Sequence, residues 1–245
     1  MYFANLNHFK SKAGYDIDGI WYPRVTAIVG IKAKPALYKF YAEQASFSAG
    51  ESVKAKSAEE GTLIHDTIEA ILNGKSAAIP YSIKPAIDAF LKFKKENEIV
   101  PFKIEERVVS KKHHYAGTAD VIGNLNGRLG VMDIKTSYSI YRDYGIQTAA
   151  YVEALKEANI FPANRWVLRI DQAKTCAECG AKLREKGGNV KIRGGDYECK
   201  HKWGPVLGEI ELKEIDSFEN DLGAFLACKT LWEWENEHWL KQIKK

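Results

Sequence analysis

The spacing of apolar residues changes period twice along the chain. Helical spacing dominates from about Pro35 to Ile79, clearest in EGTLIHDTIEAIL, where Ile64, Ile68, Ile71 and Leu72 form one stripe. Ile87, Phe90 and Leu91/Phe93 predict a further helix from about Ile83 to Asn97, with Pro85 tolerated in its first turn. Ahead of these, Ile20-Trp21-Tyr22 and Val25 to Val29 read as short strands. From Pro101 strands are predicted around Ile104–Ser110, Tyr115–Gly123 and Leu129–Ile134, broken at Lys111–His114 and at Asn126-Gly127. Asn-Gly between apolar runs is a strong hairpin signal, because both residues tolerate the positive φ that a tight turn requires. An alanine-rich helix is expected over about Gly145–Glu157, then strands at Arg165–Ile170 and Val206–Leu212. A last amphipathic helix carries Phe218, Leu222, Phe225, Cys228, Trp232, Trp239 and Ile243. Helices therefore precede and follow a small, mostly antiparallel sheet, an α/β or α+β arrangement with helices on its faces.

No repeat, low-complexity tract or linker divides the 245 residues, so one domain spanning 1–245 is expected, interrupted by an insertion at 174–204. A hydrophobic content of 45% supports a core of that size. The net charge of +4 permits a polyanionic partner without demanding one. The opening MYFANLNHFKSKAGYDIDG lacks a basic segment followed by an apolar run, and no stretch is apolar enough to span a bilayer, so a cytosolic protein without a membrane partner is expected. Four cysteines, at 176, 179, 199 and 228, all fall in the last third; in a reducing compartment the close Cys176–Cys179 pair points to metal rather than a disulfide.

The residues that carry chemistry lie on the Asn-Gly hairpin. Side chains alternate across a strand, so Asp133 and Lys135 share one face while Ile134 points into the core. The hairpin brings Asp120 near Asp133, which gives two carboxylates with an ammonium beside them. Such an oxygen-rich site suits Mg²⁺ or Mn²⁺, with the Ile134 main-chain carbonyl as an extra ligand. The lysine can orient water and place positive charge near a phosphoryl group, and the combination suits phosphodiester hydrolysis. Alone, Asp133 and Lys135 would read as an exposed cross-strand ion pair.

Three further motifs change that reading. Gly61-Thr62-Leu63-Ile64-His65, Gly117-Thr118-Ala119-Asp120, Asp133-Ile134-Lys135 and Gln147-Thr148-Ala149-Ala150-Tyr151, in that order, resemble the four motifs of the PD-(D/E)XK nucleases, in their RecB-like, phage-type exonuclease branch. They span 61–151, with weaker similarity at Tyr22-Pro23-Arg24-Val25-Thr26. The resemblance implies a restriction-endonuclease-like core, Mg²⁺ or Mn²⁺ dependence and cleavage of DNA, in recombination, repair or phage DNA processing beside a recombination or single-strand-binding protein. Carried over by position, Asp120 and Asp133 would be the principal ligands, His65 would bind or tune a metal, and Lys135 would be the catalytic lysine. Gln147 and Tyr151 would support the site or DNA. Helical spacing adds Glu69, one turn beyond His65, as a further ligand, and Thr136 and Ser137 could donate to a phosphate. An endonuclease using the same site and a non-catalytic DNA-binding module of the same fold are the alternatives. His65-Asp66 also invites an HD-type phosphohydrolase, but that needs helices where this chain writes a hairpin.

The insertion holds Cys176, Cys179, Cys199 and His201, a set that resembles a zinc ribbon with three thiolates and one imidazole on a structural Zn²⁺. Its second half, Cys-x-His, departs from the usual pair of Cys-x-x-Cys knuckles. An iron–sulfur cluster would need a cysteine upstream of the nuclease motifs, where there is none. Cys228 lies on an apolar helical stripe and reads as a buried thiol. A zinc-ribbon interaction protein, with 174–204 as its working part, is the remaining competitor. Trp232, Trp234 and Trp239 could stack bases, though their spacing assigns two of the three to the core, and Lys111-Lys112-His113-His114 reads as an exposed turn.

Overall fold

A computed structural model describes residues 3–243. Helix α1 (Leu6–Ala13) starts at Asn5, whose side chain accepts the His8 N–H. It leads into a two-stranded hairpin, β1 (Gly14–Ile17) and β2 (Ile20–Pro23), turning at Asp18 and Gly19, both at positive φ. Val25–Val29, expected as a strand, is a short helix, α2. Its Val25, Ile28 and Val29 are buried together, and this i, i+3, i+4 pattern was hidden by β-branched residues that favour strands in isolation.

The long helical region is two helices, α3 (Pro35–Ala42) and α4 (Phe47–Leu72), separated where Ser46 caps α4 by accepting the Ala49 N–H. The expected helix after Leu72 stops at Asn73 and Gly74. Helix α5 (Lys84–Glu96) follows with Pro85 in its first turn. The central sheet then begins: β3 (Ile99–Ser110), β4 (Tyr115–Leu125) and β5 (Arg128–Lys135), with Asn126 and Gly127 both at positive φ in the β4–β5 turn. Helix α6 (Asp143–Glu157) crosses over to β6 (Asn164–Cys176), which runs parallel to β5. A hairpin, β7 (Lys182–Lys186) and β8 (Asn189–Arg193), and the long β9 (Trp203–Glu214) complete the sheet. The last helix is broken at Asn236 into α7 (Phe218–Glu235) and α8 (Glu237–Ile243).

The sheet has seven strands in the order β3-β4-β5-β6-β7-β8, with β9 on the other edge of β6. It is mixed and larger than the sequence pattern suggests, because the 174–204 excursion is not a detached ribbon. Strands β6 and β9 run on into it, and β7–β8 extends the sheet. Helices cover both faces. On one, Phe9, Val25, Ile28, Tyr151, Leu155, Phe225 and Trp232 pack over Tyr115, Ile122 and Val131. On the other, Ile64, Ile68, Ile87 and Phe90 pack over Val121, Met132, Ile134 and Leu168. Trp232 and Trp239 stack on Phe9, whereas Trp234 is exposed. Cys228 packs against the first of these clusters. No helix among the described residues is long and apolar enough to cross a membrane.

Candidate functional site

The site forms where β4 and β5 part. Their ladder ends at Val121 and Met132, one residue before Asp120 and Asp133, so the two strands splay there. Asp120 occupies the gap, its Oδ2 accepting the Ile134 N–H at 2.6 Å. N–H and C=O of one strand residue point to the same edge, so the Ile134 carbonyl opens into that gap too. Ile134 itself is buried among Ile64 and Ile68.

Asp133 is fully buried on the opposite face. Gln147, from the first half of α6, donates Nε2 to Asp133 Oδ1 at 3.0 Å, and the same nitrogen lies 2.7 Å from Tyr151 Oη. Lys135 Nζ lies 2.6 Å from Asp133 Oδ2, yet that oxygen has no well-aligned hydrogen-bond donor. From α4, His65 brings Nδ1 to 4.0 Å from Asp120 Oδ2.

Two motif glycines have steric reasons. A Cβ on Gly117 would collide with the Tyr151 ring, so the glycine lets α6 bring Tyr151 onto β4. A Cβ on Gly61 would stand 2.9 Å from Thr136 Oγ1, so α4 can approach the end of β5 only without one.

One acid escaped the sequence reading. Glu105 sits opposite Asp120 in the β3–β4 register but at φ +51°, a conformation uncommon for a residue with a Cβ. This kink takes it out of the ladder and brings its carboxylate to His65 and Asp120. One ligand atom from each of these three lies within 4.8 Å of the others, a group that could hold a metal ion. Glu69 is outside that group but close enough to act on Glu105 electrostatically. The signal was present: a glutamate in a strand facing the Gly-x-x-Asp strand. What alternation cannot supply is the backbone kink.

The electrostatics are those of crowded carboxylates. Burial raises the Asp133 carboxyl to about 6 against the lowering effect of Lys135, and Asp120 adds repulsion. Asp120 is also pushed up by burial. Glu105 is raised to about 7 by desolvation and by repulsion from Asp120, Glu69, Asp66 and Asp133. Burial opposes charge on Lys135, but Asp133 and Asp120 outweigh it and hold the ammonium above its usual range. Burial, aided by Lys135, lowers His65, leaving a neutral imidazole fit to be a ligand near neutral pH. Carboxylates that resist ionising together, with a buried oxygen short of a donor, fit a divalent cation.

This sets a pH dependence in metal-free protein. A raised carboxyl contributes stability below its unfolded value, near 3.8 for Asp133, and loses it as pH rises through about 6. Metal-free Asp133→Asn is therefore expected to lose less thermal stability than wild type between about pH 4 and 7, measured by circular dichroism melts in EDTA. Equal slopes would contradict the assignment.

The second group is Cys176, Cys179, Cys199 and His201, whose ligand atoms also lie within 4.8 Å of one another. Cys176 ends β6 and the other three precede β9, so the two long strands deliver them to one end of the sheet. Cys176 and Cys199 Sγ are 3.9 Å apart, and Cys179 Sγ is 3.4 Å from His201 Nδ1. Thiolates about 2.3 Å from a shared tetrahedral Zn²⁺ would stand about 3.8 Å apart, whereas a disulfide needs about 2.05 Å. The set could hold a metal such as zinc. The pattern Cys-x-x-Cys-Gly folds as a knuckle, with the Gly180 N–H donating to the Cys176 carbonyl and Gly180 at φ +72°. Burial and the neighbouring sulfurs of Cys179 and Cys176 push the Cys199 thiol up to about 12, so the full thiolate set calls for a cation. Cys228 is not part of the group.

No known family model matches the chain, and no curated protein matches it.

Proposed function

We propose that the chain is a divalent-metal-dependent deoxyribonuclease of the PD-(D/E)XK kind, hydrolysing phosphodiester bonds and working from DNA ends. One observation carries the reading: at the splayed end of two strands a His65–Glu105–Asp120 group lies close enough to the buried Asp133–Lys135 pair, itself at 2.6 Å, for Asp133 to feel the charges of Asp120 and His65. His65, Glu105, Asp120 and Asp133 would hold Mg²⁺ or Mn²⁺, with the Ile134 carbonyl facing the same gap. Once bound, the metal supplies Lewis acidity and a water of lowered pKa.

The protein's own part is positioning and charge. Lys135 keeps its proton and sets an ammonium where negative charge grows on the phosphoryl oxygens. Gln147 fixes the Asp133 carboxylate, and Tyr151 fixes Gln147. Thr136 and Ser137 line the way out of β5; the Ser137 hydroxyl is held by the Ser139 carbonyl, which leaves Thr136 the freer donor. Zn²⁺ at the cysteine cluster would be structural. The reading extends to DNA processing in the cytoplasm, in recombination or repair, and its preference for ends rests on the resemblance of the four motifs alone.

The test is digestion of end-labelled linear and closed circular DNA, single- and double-stranded, with Mg²⁺, Mn²⁺ or EDTA. Linear DNA should disappear only with metal and only with Asp133 intact, while circles survive. Cutting of circles would make it an endonuclease. Folded protein that cuts nothing with either metal would sink the nuclease reading.

A further inference from the structure

The β7–β8 hairpin continues the sheet past the catalytic strand. At Lys174, β9 occupies one edge of β6 and β7 the other, and that other edge is the one β5 occupies up to Lys135. The hairpin therefore overhangs the loop that leaves the site. Lys186 donates Nζ to the Thr136 carbonyl, and Arg193 donates to the Tyr138 carbonyl at 3.0 Å. Its tip rests on α4: a Cβ on Gly187 would collide with both the Val53 carbonyl and Ser57 Oγ. A groove lies between α3–α4 and the hairpin, with Phe40, Lys54, Tyr138, Lys186 and Lys191 among its lining residues and Arg193 beside it over the Tyr138 ring.

The hairpin carries an unusual arrangement of charge. Directly opposed residues share a sheet face, and Arg184 faces Lys191 while Lys182 faces Arg193. Like charges directly opposite cost stability unless an anion offsets them. Arg184 is neutralised by Asp171 and Glu60, and Lys182 by Glu209. Lys186, Lys191 and Arg193 form no ion pair with any carboxylate among the described residues. Lys191 instead lies 5.9 Å from the Phe40 ring centre, and the Arg193 guanidinium 4.6 Å from that of Tyr138. The acids nearby are already engaged, Asp171 by Arg184 and Arg169 and Glu51 by Tyr41 and Lys54.

We propose that this groove is the path of a single nucleic-acid strand to and from the metal site. Phosphates lie along Lys186, Lys191 and Arg193, and bases stack on Phe40 and Tyr138. Cations interleaved with aromatic faces are the surface that single strands use. The assignment rests on the nuclease reading for its direction, but binding tests it separately from catalysis.

The variant is Lys191→Ala/Arg193→Ala, both exposed and outside the metal site. Binding of a labelled oligothymidylate in EDTA, by fluorescence anisotropy across a salt series, should weaken about tenfold or more. The slope of log affinity against log salt should become shallower by about 1.4, because two phosphates are no longer neutralised. With Mg²⁺, hydrolysis of the oligomer should slow while that of a thymidine dinucleotide, too short to reach the hairpin, stays at the wild-type rate. Phe40→Leu, which leaves the charge intact, should weaken oligomer binding without changing the salt slope.

Unchanged oligomer affinity in both folded variants would overturn the proposal. So would an equal loss of duplex binding, or displacement of the oligomer by polyglutamate as readily as by unlabelled oligomer, which would mark an acidic-protein surface. If wild type binds oligomer through these residues but cleaves neither substrate, the groove stands and the nuclease reading falls.

Discussion

Lys135→Ala is expected to lower the single-turnover rate of DNA hydrolysis by about 10³-fold while DNA affinity in Ca²⁺ or EDTA changes only a few-fold. The expectation comes from where the charge sits. Lys135 Nζ lies 2.6 Å from Asp133 Oδ2, and Asp133 with Asp120 holds it charged despite burial. An ammonium already fixed and desolvated costs nothing to reorganise as charge develops, so its removal is felt in the rate more than in binding. A second effect adds to the first. Without Lys135, Asp133 loses the partner that holds its carboxyl down, so its titration moves further upward and metal must compete with a proton at neutral pH. The variant's Mg²⁺ requirement should therefore rise, and more steeply at pH 6.5 than at pH 8.5. Lys135→Arg should not restore the rate, because a planar guanidinium does not replace a compact ammonium in a buried slot. A Lys135→Ala rate within tenfold of wild type at saturating metal would remove this residue from the mechanism.

Loss of a metal held at the cysteine cluster is expected to carry the other large effect. Cys179→Ser, or chelation of wild type, is expected to reduce bound zinc from one per chain to almost none. It should release the knuckle at 176–181 and the β7–β8 hairpin from protection against hydrogen exchange, while the central strands stay protected. A metal held by the four residues would substitute for the apolar core that this end of the sheet lacks, and local stability of several kcal/mol would go with it. The consequence would reach the candidate site through Arg184 on β7, which is buried and pairs with Asp171 on β6 and Glu60 on α4, the helix that carries His65. Coupling of about 1–2 kcal/mol along such a chain of contacts is expected to slow the proposed cleavage of long DNA by roughly five- to thirtyfold with every candidate site residue in place. Three of the four ligands would be thiolates, so chelation should become easier as pH falls. Metal-stripped protein with unchanged exchange in the hairpin would refute the structural role.

The parts legible in the sequence were those fixed by local rules. Asn126-Gly127 announced its turn, the α4 and α5 stripes announced their buried faces, and the spacing of Asp133 and Lys135 put both on one side of β5. Gln147 and Tyr151, one helical turn apart, meet at one hydrogen-bonded point beside Asp133. What local rules could not give came from tertiary context. Val25–Val29 is β-branched yet helical because its apolar residues pack beneath α6 and α7. Helix α1 went unread because its mostly polar sequence, LNHFKSKA, buries only Phe9 and Ala13. Glu105 joined the site through a backbone kink that no residue type announces. The hairpin's place beside the site depends on β7 taking the edge of β6 that β5 vacates, a fact of topology rather than of pattern.

The kink at Glu105 has another consequence, for how the molecule behaves among its own copies. Strand β3 is an outer strand of the sheet, twelve residues long, with Val100 and Phe102 exposed. An open edge of that length and character is a template on which a second chain can add, the first step of edge-to-edge aggregation. Pro101 removes one donor near its start, the register breaks between Pro101 and Lys103, and Glu105 turns the backbone out of line before a straight row of donors and acceptors can form. The residue that gives the candidate site a carboxylate thus also helps, with Pro101 and the register break, to blunt this edge, so straightening β3 to improve its local fit is expected to favour self-association.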